Sequence, residues 1–432
     1  DPGADFLPGS LGGTCAGVAV DATAAPLLRF SLASLPLATA SCTITYQATV
    51  NNAVNPGLTY TNSAQLQYDS QPAFVSGETR RSTSGPVNAS FVIWAPTLVK
   101  VTSSSDLDAT SAGAGDPTLL DLAIGETVTY TLTVGFPQGT STSAVLVDTL
   151  PASAAGVLEM IGAGSVVFGN AGISASLAGT AVLSDQLLSD GLNDTATFNF
   201  GTLSNPADGD TSNDWLQVTV VARVVNLPQN QDGLLLTNSA SFSTATTAPV
   251  QSTASIDVVE PDLALDKTMG PITNGVVQVG LSLSNSGSAP AYDIAIIDVL
   301  DAATWDLSSV TPVSVPTGFL LDSVAGPGPD QLTVRLRSDP GVSLPAGAVL
   351  PGASVNATFR VALASIPPTP NPVLNTAVNT DASSYPGSSN PQDREYPDIN
   401  DVASLEVPGQ GLIKTYVLHA DNDASGTVSP GD

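Results

Sequence analysis

The chain has 432 residues, of which 42% are apolar and only 12% are charged, so its length and apolar content predict two to four domains with real cores. Its 39 acidic residues outnumber 11 basic ones and give a net charge of −28. This balance argues against nucleic acid and anionic membranes as partners, because both bind clusters of Lys and Arg. The single histidine, His419, argues against histidine-based catalytic triads, His-rich zinc sites and haem ligation. No apolar run approaches the ~20 residues of a membrane span.

The only two cysteines, Cys15 and Cys42, lie in one polar segment with no histidine cluster nearby. Their spacing predicts a disulfide, which would place the chain in an oxidising compartment. A loop of that size would stabilise the segment by roughly 3–4 kcal/mol. The alternative is a pair of free thiols in a reducing cell.

The residue pattern predicts an all-β protein. Runs of alternating Thr, Val, Leu and Tyr recur between Gly, Pro, Asn and Asp, as in Thr43–Val50, Thr127–Val134 and Leu216–Ala222. No stretch has the period and the caps of a convincing helix. We therefore expect strands joined by turns along the whole chain.

Three short elements recur in the same order and define an internal repeat. The first element contains a lysine, the second an aspartate two residues before a leucine, and the third an asparagine before Ser-Ala or Thr-Ala. The lysines are Lys100, Lys267 and Lys414, the aspartates are Asp148 and Asp298, and the asparagines are Asn62, Asn238 and Asn375. A repeat of about 150 residues is the size of one Ig-like β-sandwich, so we expect tandem Ig-like sandwiches in an elongated array.

The register of the repeat predicts the domain boundaries. Residues 1–93 would be a partial sandwich that lacks its opening strands. Residues 94–256 and 257–404 would each be a complete repeat. Residues 405–432 would be the opening strand and acidic loop of a further repeat.

These elements resemble the DUF11-type repeats of bacterial and archaeal surface proteins and the isopeptide-forming fimbrial repeats. The resemblance lies in Leu-x-Lys at the repeat starts, followed by Thr in two of the three, in Gly125-Glu126-Thr127-Val128-Thr129-Tyr130, in Asp148-Thr149-Leu150-Pro151, and in Thr-Asn-Ser-Ala at two of the three repeat ends. The third repeat departs from the pattern, because it lacks the Gly-Glu-x-Val-x-Tyr strand and has Val299 where Thr is usual. The resemblance implies Ig-like sandwiches in extracellular stalks, wall proteins or fibres.

All three lysines of the chain occupy the same repeat position, which indicates that an amine is needed there. Lys267 alternates with Leu263 and Leu265, which predicts that it points to the apolar face, whereas the facing of Lys100 is ambiguous. Asn62, Asn238 and Asn375 each lie in phase with apolar residues, so we expect them to face a core.

A core-facing Lys, Asp and Asn have the ingredients of an intramolecular isopeptide bond. A buried lysine loses its proton and becomes a nucleophile, and a protonated carboxyl polarises the asparagine amide. The candidate sets are Lys100, Asp148 and Asn238, and Lys267, Asp298 and Asn375, and the bond would join the first and last strands of a sandwich. Asn62 and Lys414 would need partners outside this chain. Two alternatives stay open: an unreacted buried Lys–Asp pair, or three residues with unrelated roles.

The segment 421–432 matches a calcium loop of the EF-hand type without flanking helices. Its oxygen ligands would be Asp421, Asp423, Ser425, Thr427 and Asp432. The alternative is a solvated acidic linker. Calcium is thus the one cofactor that the sequence suggests.

The sequence favours a non-catalytic structural segment of a secreted or cell-surface stalk or fibre. One alternative is a self-assembling extracellular filament or sheath, in which the strand Leu412–Val417 completes the first unit of the next molecule. Another is an adhesin that binds a sugar or protein through loops, with residues 151–215 as the best place for the site. The chain's most plausible partner is itself, and any surface ligand cannot be named from the sequence.

Overall fold

The computed structural model describes most of the chain. The described residues are 3–24, 27–34, 41–68, 81–82, 85–110, 119–154, 156–366, 368, 370–387 and 389–407. They divide into two compact units. Unit 1 runs to Asp262 and includes Gly287–Pro290 and Ser384–Arg394, and unit 2 comprises Leu263–Ser286, Ala291–Ser383 and the chain from Glu395 onward.

The first part of unit 1 contains short strands that pair only two at a time among the described residues. They are β1 (Ala4–Phe6), β2 (Gly12–Gly13), β3 (Ala19–Ala24), β4 (Leu27–Ser31), β5 (Ile44–Thr45), β6 (Ala48–Val50), β7 (Thr59–Ala64), β8 (Gln67–Tyr68), β9 (Arg81–Ser82) and β10 (Val87–Val92). The pairs are β1–β6, β2–β5, β3–β4, β8–β9 and β7–β10. The strand expected over Thr43–Val50 is divided into β5 and β6. The partial sandwich expected at residues 1–93 stays a prediction.

The rest of unit 1 is a β-sandwich. Its strands are β11 (Thr97–Ser105), β12 (Leu120–Ala123), β13 (Thr127–Gly135), β14 (Gly139–Thr149), β15 (Ala152–Ser153), β16 (Gly156–Ala163), β17 (Val167–Phe168), β18 (Ser174–Ala175), β19 (Ala181–Ser184), β20 (Thr195–Asn205), β21 (Trp215–Val224), β22 (Leu234–Ser243) and β23 (Val250–Val259), with a 3₁₀ turn at Thr211–Asn213. One sheet has the order β11-β13-β21-β16-β15, with β17 on β21. The other has the order β12-β23-β22-β14-β20-β18, with β19 on β20.

Unit 2 is a smaller sandwich. Its strands are β24 (Leu263–Met269), β25 (Val276–Asn285), β26 (Tyr292–Asp301), β27 (Trp305–Ser314), β28 (Phe319–Ala325), β29 (Gln331–Ser338), β30 (Ser354–Leu363), β31 (Val373–Ser383) and β32 (Ile399–Leu405). One sheet has the order β24-β25-β30-β27 and the other β28-β29-β26-β31-β32. The predicted all-β sandwich architecture is therefore confirmed for both units.

Strand alternation explains where the cores lie. In β13 the residues alternate strictly between half-buried and buried, and Tyr130 and Leu132 are fully buried. Aromatic residues such as Phe198 and Phe242 from the opposite sheet join them in one continuous core. Unit 2 has its own core around Trp305 and Phe359. Each core is a dry layer between two sheets, and this layer holds the candidate site.

The Gly-Glu element of the repeat has a structural role in unit 1. Gly125 has a φ of 88°, a backbone conformation that favours glycine. Glu126 is fully buried and its carboxylate accepts hydrogen bonds from the Ala123 amide at 2.8 Å and the Leu107 amide at 3.3 Å. Burial raises the pKa of Glu126 to about 8, against the opposing effect of the Ala123 hydrogen bond. Glu126 thus stabilises the connection between β11 and β13, which contains β12. In unit 2 the equivalent strands β24 and β25 are joined by the short turn 270–275.

Within the described part of the chain, no helix is long and apolar enough to cross a membrane.

Candidate functional site: two buried Lys–Asp–Asn triads

The first triad consists of Lys100, Asp148 and Asn238, which meet between the two sheets of unit 1. Lys100 lies on β11 in one sheet, whereas Asp148 and Asn238 lie on the neighbouring strands β14 and β22 of the other. Lys100 is 4% exposed, and the other two residues are fully buried. The ammonium group of Lys100 donates to Asp148 Oδ1, and neither side chain has any exposed surface. The triad is thus closed off from water.

The amide of Asn238 completes the first triad. Its Nδ2 donates to Asp148 Oδ2 at 3.3 Å, so one carboxylate contacts both the amine and the amide. Asn238 Oδ1 is buried and has no hydrogen-bond partner. A buried acceptor without a donor costs about 1–3 kcal/mol. This cost would be relieved if the amide turned half a revolution toward a protonated Asp148.

The second triad consists of Lys267, Asp298 and Asn375 and lies between the sheets of unit 2. Lys267 on β24 is 4% exposed, which confirms the predicted facing, and it donates to Asp298 Oδ2 on β26. Asn375, on the neighbouring strand β31, is 5% exposed. Burial raises the pKa of Asp298, and Lys267 and Asn375 oppose this rise. Asn375 Nδ2 and Asp298 Oδ1 are buried without a hydrogen-bond partner. The second triad therefore has the same composition and placement as the first.

The strand register is also the same in both units. In unit 1, Asp148 pairs with Ala240, which pairs with Ser252 on β23. In unit 2, Asp298 pairs with Ala377, which pairs with Asp401 on β32. The asparagine lies two residues before the alanine in each case. In both sandwiches the aspartate, the asparagine and the residue at the Ser252 or Asp401 position thus lie on three neighbouring strands in the same register.

Burial dominates the electrostatics of both triads. It lowers the pKa of Lys100 to about 8, although Asp148 acts in the opposite direction. It raises the pKa of Asp148, opposed by Lys100. The pKa of Lys267 is lowered and that of Asp298 raised for the same reason. Because a dry environment penalises both charges, burial favours transfer of the proton from the amine to the carboxylate.

This arrangement has the parts of an amide-forming reaction. After proton transfer, the neutral lysine Nζ carries a free electron pair beside the asparagine side chain. The protonated aspartate can donate to the amide oxygen and so make the amide carbon more electrophilic. Fixed neighbours of this kind react with a high effective concentration.

One feature of the predicted bond is corrected by the topology. The bond was expected to join the first and last strands of a sandwich, but Asn238 and Asn375 lie on the penultimate strands β22 and β31. The last strands β23 and β32 pair beside them. The repeat element marks the asparagine strand, and the further strand beyond it lacks a motif of its own.

The core-facing prediction for Asn62 is wrong. Asn62 is exposed on β7, and its Nδ2 donates to Tyr46 Oη at 2.8 Å. Leu58 and Leu66, in phase with it, are 36% and 59% exposed. The described residues place only β10 beside β7, so no second sheet covers this face.

The cysteines and the calcium loop complete the predicted sites. Cys15 and Cys42 form a disulfide in the structure. Lys414 and the calcium candidates lie outside the described residues; they are Asp421, Asp423, Ser425, Thr427 and Asp432. Among the described residues, no group of three or more His, Cys, Asp or Glu is arranged to hold a metal ion. Calcium binding therefore stays a prediction.

Three residues at the triads were missed by the sequence reasoning. The ring of Tyr130 lies 4.9 Å from Lys100 Nζ, and Ser252 and Asp401 accept hydrogen bonds from the lysine backbones. Tyr130 is part of a repeat element and could have been found by its phase with the lysine strand. Ser252 and Asp401 could not be aligned with each other in the sequence repeat. The connections that precede their strands, 244–249 and 384–398, differ in length.

Comparisons with known proteins give matches among solved structures only. No protein-family model and no curated protein sequence matches the chain. A solved structure of the C-terminal domain of the AgI/II polypeptide BspA of Streptococcus agalactiae matches with 12% identity and a TM-score of 0.36, covering 71% of this chain and 99% of that one. BcpA, the major pilin subunit of Bacillus cereus, matches with 12% identity and a TM-score of 0.26, covering 80% and 82%. The major pilin GBS80 fragment of S. agalactiae matches with 11% identity and a TM-score of 0.25, covering 72% and 91%. At this level of similarity, function must be inferred from the chain's own residues.

Proposed function

We propose that the chain is a structural, non-catalytic segment of an extracellular stalk or fibre whose two sandwiches are each locked by a Lys–Asn isopeptide bond. The observation that supports it is the pair of buried triads in one register, with every lysine of the described chain in a triad. The bonds would be Lys100–Asn238 and Lys267–Asn375. Both would be made by the chain itself, without an external substrate.

In the proposed reaction, the lysine Nζ replaces Nδ2 of the asparagine in the side-chain amide. The proton of the Lys–Asp pair moves to the aspartate, and the neutral lysine Nζ attacks Cγ of the asparagine. The Cγ–Nδ2 bond breaks, and the NH2 group takes up one proton from Nζ and one from the carboxyl group and leaves as an ammonium ion. The aspartate is regenerated, so it acts as a general acid and base within the fold.

The location of the lysine explains why such a bond would suit a fibre. The lysine is on the first strand of one sheet, and the asparagine is on the opposite sheet, so the bond would tie the two layers of the sandwich together. Pulling on the first strand would then load a covalent bond instead of the β11–β13 hydrogen bonds. A surface protein exposed to shear would gain from this arrangement.

An extracellular location is supported by two further features. The Cys15–Cys42 disulfide is typical of an oxidising compartment. The net charge of −28 favours solubility and disfavours adhesion to anionic surfaces.

The decisive experiment is the intact mass of the denatured, reduced chain followed by peptide mapping. We expect the mass to fall short by one ammonia for each triad, and cross-linked peptides to contain Lys100 with Asn238 and Lys267 with Asn375. Asp148→Ala should prevent the Lys100–Asn238 bond, so its mass should fall short by only one ammonia. The Lys267–Asn375 bond should remain intact. Asn62→Ala is the matched control, because Asn62 is exposed and should change only its own residue mass.

The full mass with no cross-linked peptide would overturn the proposal. The triads would then be unreacted ion pairs with a structural role.

The two alternative functions gain no specific support. The insert 151–215 contains an open depression of about 430 Å³, lined by small residues of 163–166 and 178–181 and by Leu183, without a charged side chain. Such a lining offers little to orient a sugar or protein ligand. The strand Leu412–Val417, which the filament hypothesis needs, lies outside the described residues.

A further inference from the structure

The backbone amide of each triad lysine reaches across the sandwich to a side chain on the last strand. Lys100 N donates to Ser252 Oγ at 3.0 Å, and Lys267 N donates to Asp401 Oδ2 at 2.7 Å. Ser252 and Asp401 occupy equivalent positions, because each pairs with the alanine that pairs with the triad aspartate. Both side chains are half-buried.

These contacts matter because the lysine strands are edge strands. Among the strands that the structure describes, β11 pairs only with β13, and β24 pairs only with β25. An edge strand leaves every second backbone amide without a ladder partner. Ser252 and Asp401 supply the acceptor at the residue whose side chain must reach the opposite sheet. They therefore fix the lysine backbone next to the strands that carry the aspartate and asparagine.

The two anchors differ in charge. The ionisable groups that act on Lys100 are Asp148 and, through its ring face, Tyr130. Those that act on Lys267 are Asp298 and Asp401. Asp401 opposes burial by raising the pKa of Lys267, whereas the hydroxyl of Ser252 has no charge with which to act on Lys100.

We propose that Ser252 and Asp401 are positioning residues that tie the lysine strand to the last strand, and that the negative charge of Asp401 makes Lys267 slower to react than a lysine anchored by serine. This inference rests on the proposed function, because it concerns the same bonds. The charge stabilises the ammonium form of Lys267 over the neutral nucleophile. Removing this charge should therefore raise the neutral fraction of Lys267 and the rate of bond formation.

The first test measures the lysines directly and does not depend on bond formation. In an Asn238→Ala/Asn375→Ala background neither bond can form, and the chain has only three lysines, so isotope-labelled lysine gives few NMR signals to titrate. We expect Asp401→Asn to lower the pKa of Lys267, because the carboxylate that favours the ammonium form is gone, and to leave the pKa of Lys100 unchanged. Ser252→Asp should raise the pKa of Lys100 by a similar amount. An unchanged Lys267 titration in Asp401→Asn would overturn the charge effect.

The second test measures the rate of cross-linking after refolding, by mapping each peptide pair over time. In Asp401→Asn the Lys267–Asn375 bond should form faster than in the unaltered chain, because the amide still accepts the backbone hydrogen bond but carries no charge. Its rate should also begin to decline at a lower pH, because the triad loses its single proton more easily and the aspartate can no longer act as an acid. The Lys100–Asn238 bond in the same molecule is the internal control.

Asp401→Ala separates anchoring from charge. It removes the charge as Asp401→Asn does, but it also removes the acceptor. We expect faster hydrogen exchange at the Lys267 amide and slower cross-linking than in Asp401→Asn. Equal exchange and equal rates in the two variants would overturn the anchoring role. Absence of both bonds in the unaltered chain would refute the proposed function, and the lysine titration would still decide the effect of Asp401.

Discussion

The two triads contain the same three residues in one strand register, but the lysines have different surroundings. Tyr130 faces Lys100 from β13, whereas the equivalent residue of β25 is Val279, which is fully buried. The lysine anchor is Ser252 in unit 1 and Asp401 in unit 2. The last strand β23 is flanked by the parallel strand β12, whereas β32 pairs only with β31 among the described residues.

This comparison separates the residues that the proposed reaction requires from the residues that would tune the pKa of the lysine. The sandwiches differ in strand number, connections and flanking side chains, yet they keep the Lys–Asp contact and the neighbouring asparagine. The shared part would be needed for the chemistry. The variable part would set how readily each lysine gives up its proton, since an aromatic face and a carboxylate both stabilise an ammonium group.

The largest expected effect comes from removing one acid of a triad. Asp148→Ala should abolish the bond in unit 1 and leave Lys100 buried without its partner, which costs about 3–5 kcal/mol of unfolding free energy. Asp298→Ala should do the same in unit 2. Mass mapping and thermal unfolding measure the two losses separately.

The double variant Lys100→Met/Asp148→Leu is the control for this comparison. It also prevents the bond, but it replaces both charges by apolar groups and should avoid most of the penalty of an unpaired lysine. If the double variant were as unstable as Asp148→Ala, the destabilisation would come from the lost bond or from packing, and the unpaired lysine would not explain it.

A smaller effect should distinguish the tyrosine of unit 1 from the valine of unit 2. The hydroxyl of Tyr130 is buried without a hydrogen-bond partner, so Tyr130→Phe should stabilise unit 1 by about 1 kcal/mol. The ring would remain over Lys100. Chemical denaturation measures the change.

Tyr60→Phe is the matched control for Tyr130→Phe. Tyr60 Oη accepts a 2.7 Å hydrogen bond from the Asn55 amide, so losing this hydroxyl should destabilise the chain. A loss of stability in both variants would show that the Tyr130 hydroxyl has a partner after all.

The smallest effect is expected at Asn62, the repeat asparagine outside the triads. Asn62→Ala should change the unfolding free energy by less than about 0.5 kcal/mol, because the side chain is exposed. Asn238→Ala and Asn375→Ala should each lose one cross-link and its stabilisation. A similar loss for all three would mean that residues 1–93 bury their asparagine too.

The sequence alone was enough to predict the strands that carry the site. Alternation placed β13 and β21 to within a residue or two, and the repeat grouped Lys100 with Asp148 and Asn238. The sequence did not decide which face of its strand the Lys100 side chain occupies, because the neighbours Val99 and Val101, on the other face, are also apolar. They are 55% and 48% exposed, since nothing in the described chain covers the outer face of an edge strand. Apolar character alone does not tell which face of such a strand is buried.

The residues that the sequence could not supply are those defined by pairing between distant strands. Asp401 looks like one more turn-forming aspartate until the register places it beside Lys267. Asn62 shows the opposite failure. Its strand has the correct phase, but alternation predicts a buried face only where a second sheet exists to cover it.

The position of each asparagine on the penultimate strand determines how far the chain could lengthen under tension. A closed ring would hold roughly 140 residues of unit 1 and roughly 110 of unit 2, and none of them could extend. The segment between Asn238 and Lys267 stays outside both rings and contains the second half of β22 and all of β23. Fully drawn out, it would span roughly 100 Å at about 3.5 Å per residue. Under tension the two cross-linked sandwiches would then keep their length, and the segment between them would extend. The strands of this segment would dissipate energy by separating and pairing again while the sandwiches remain folded.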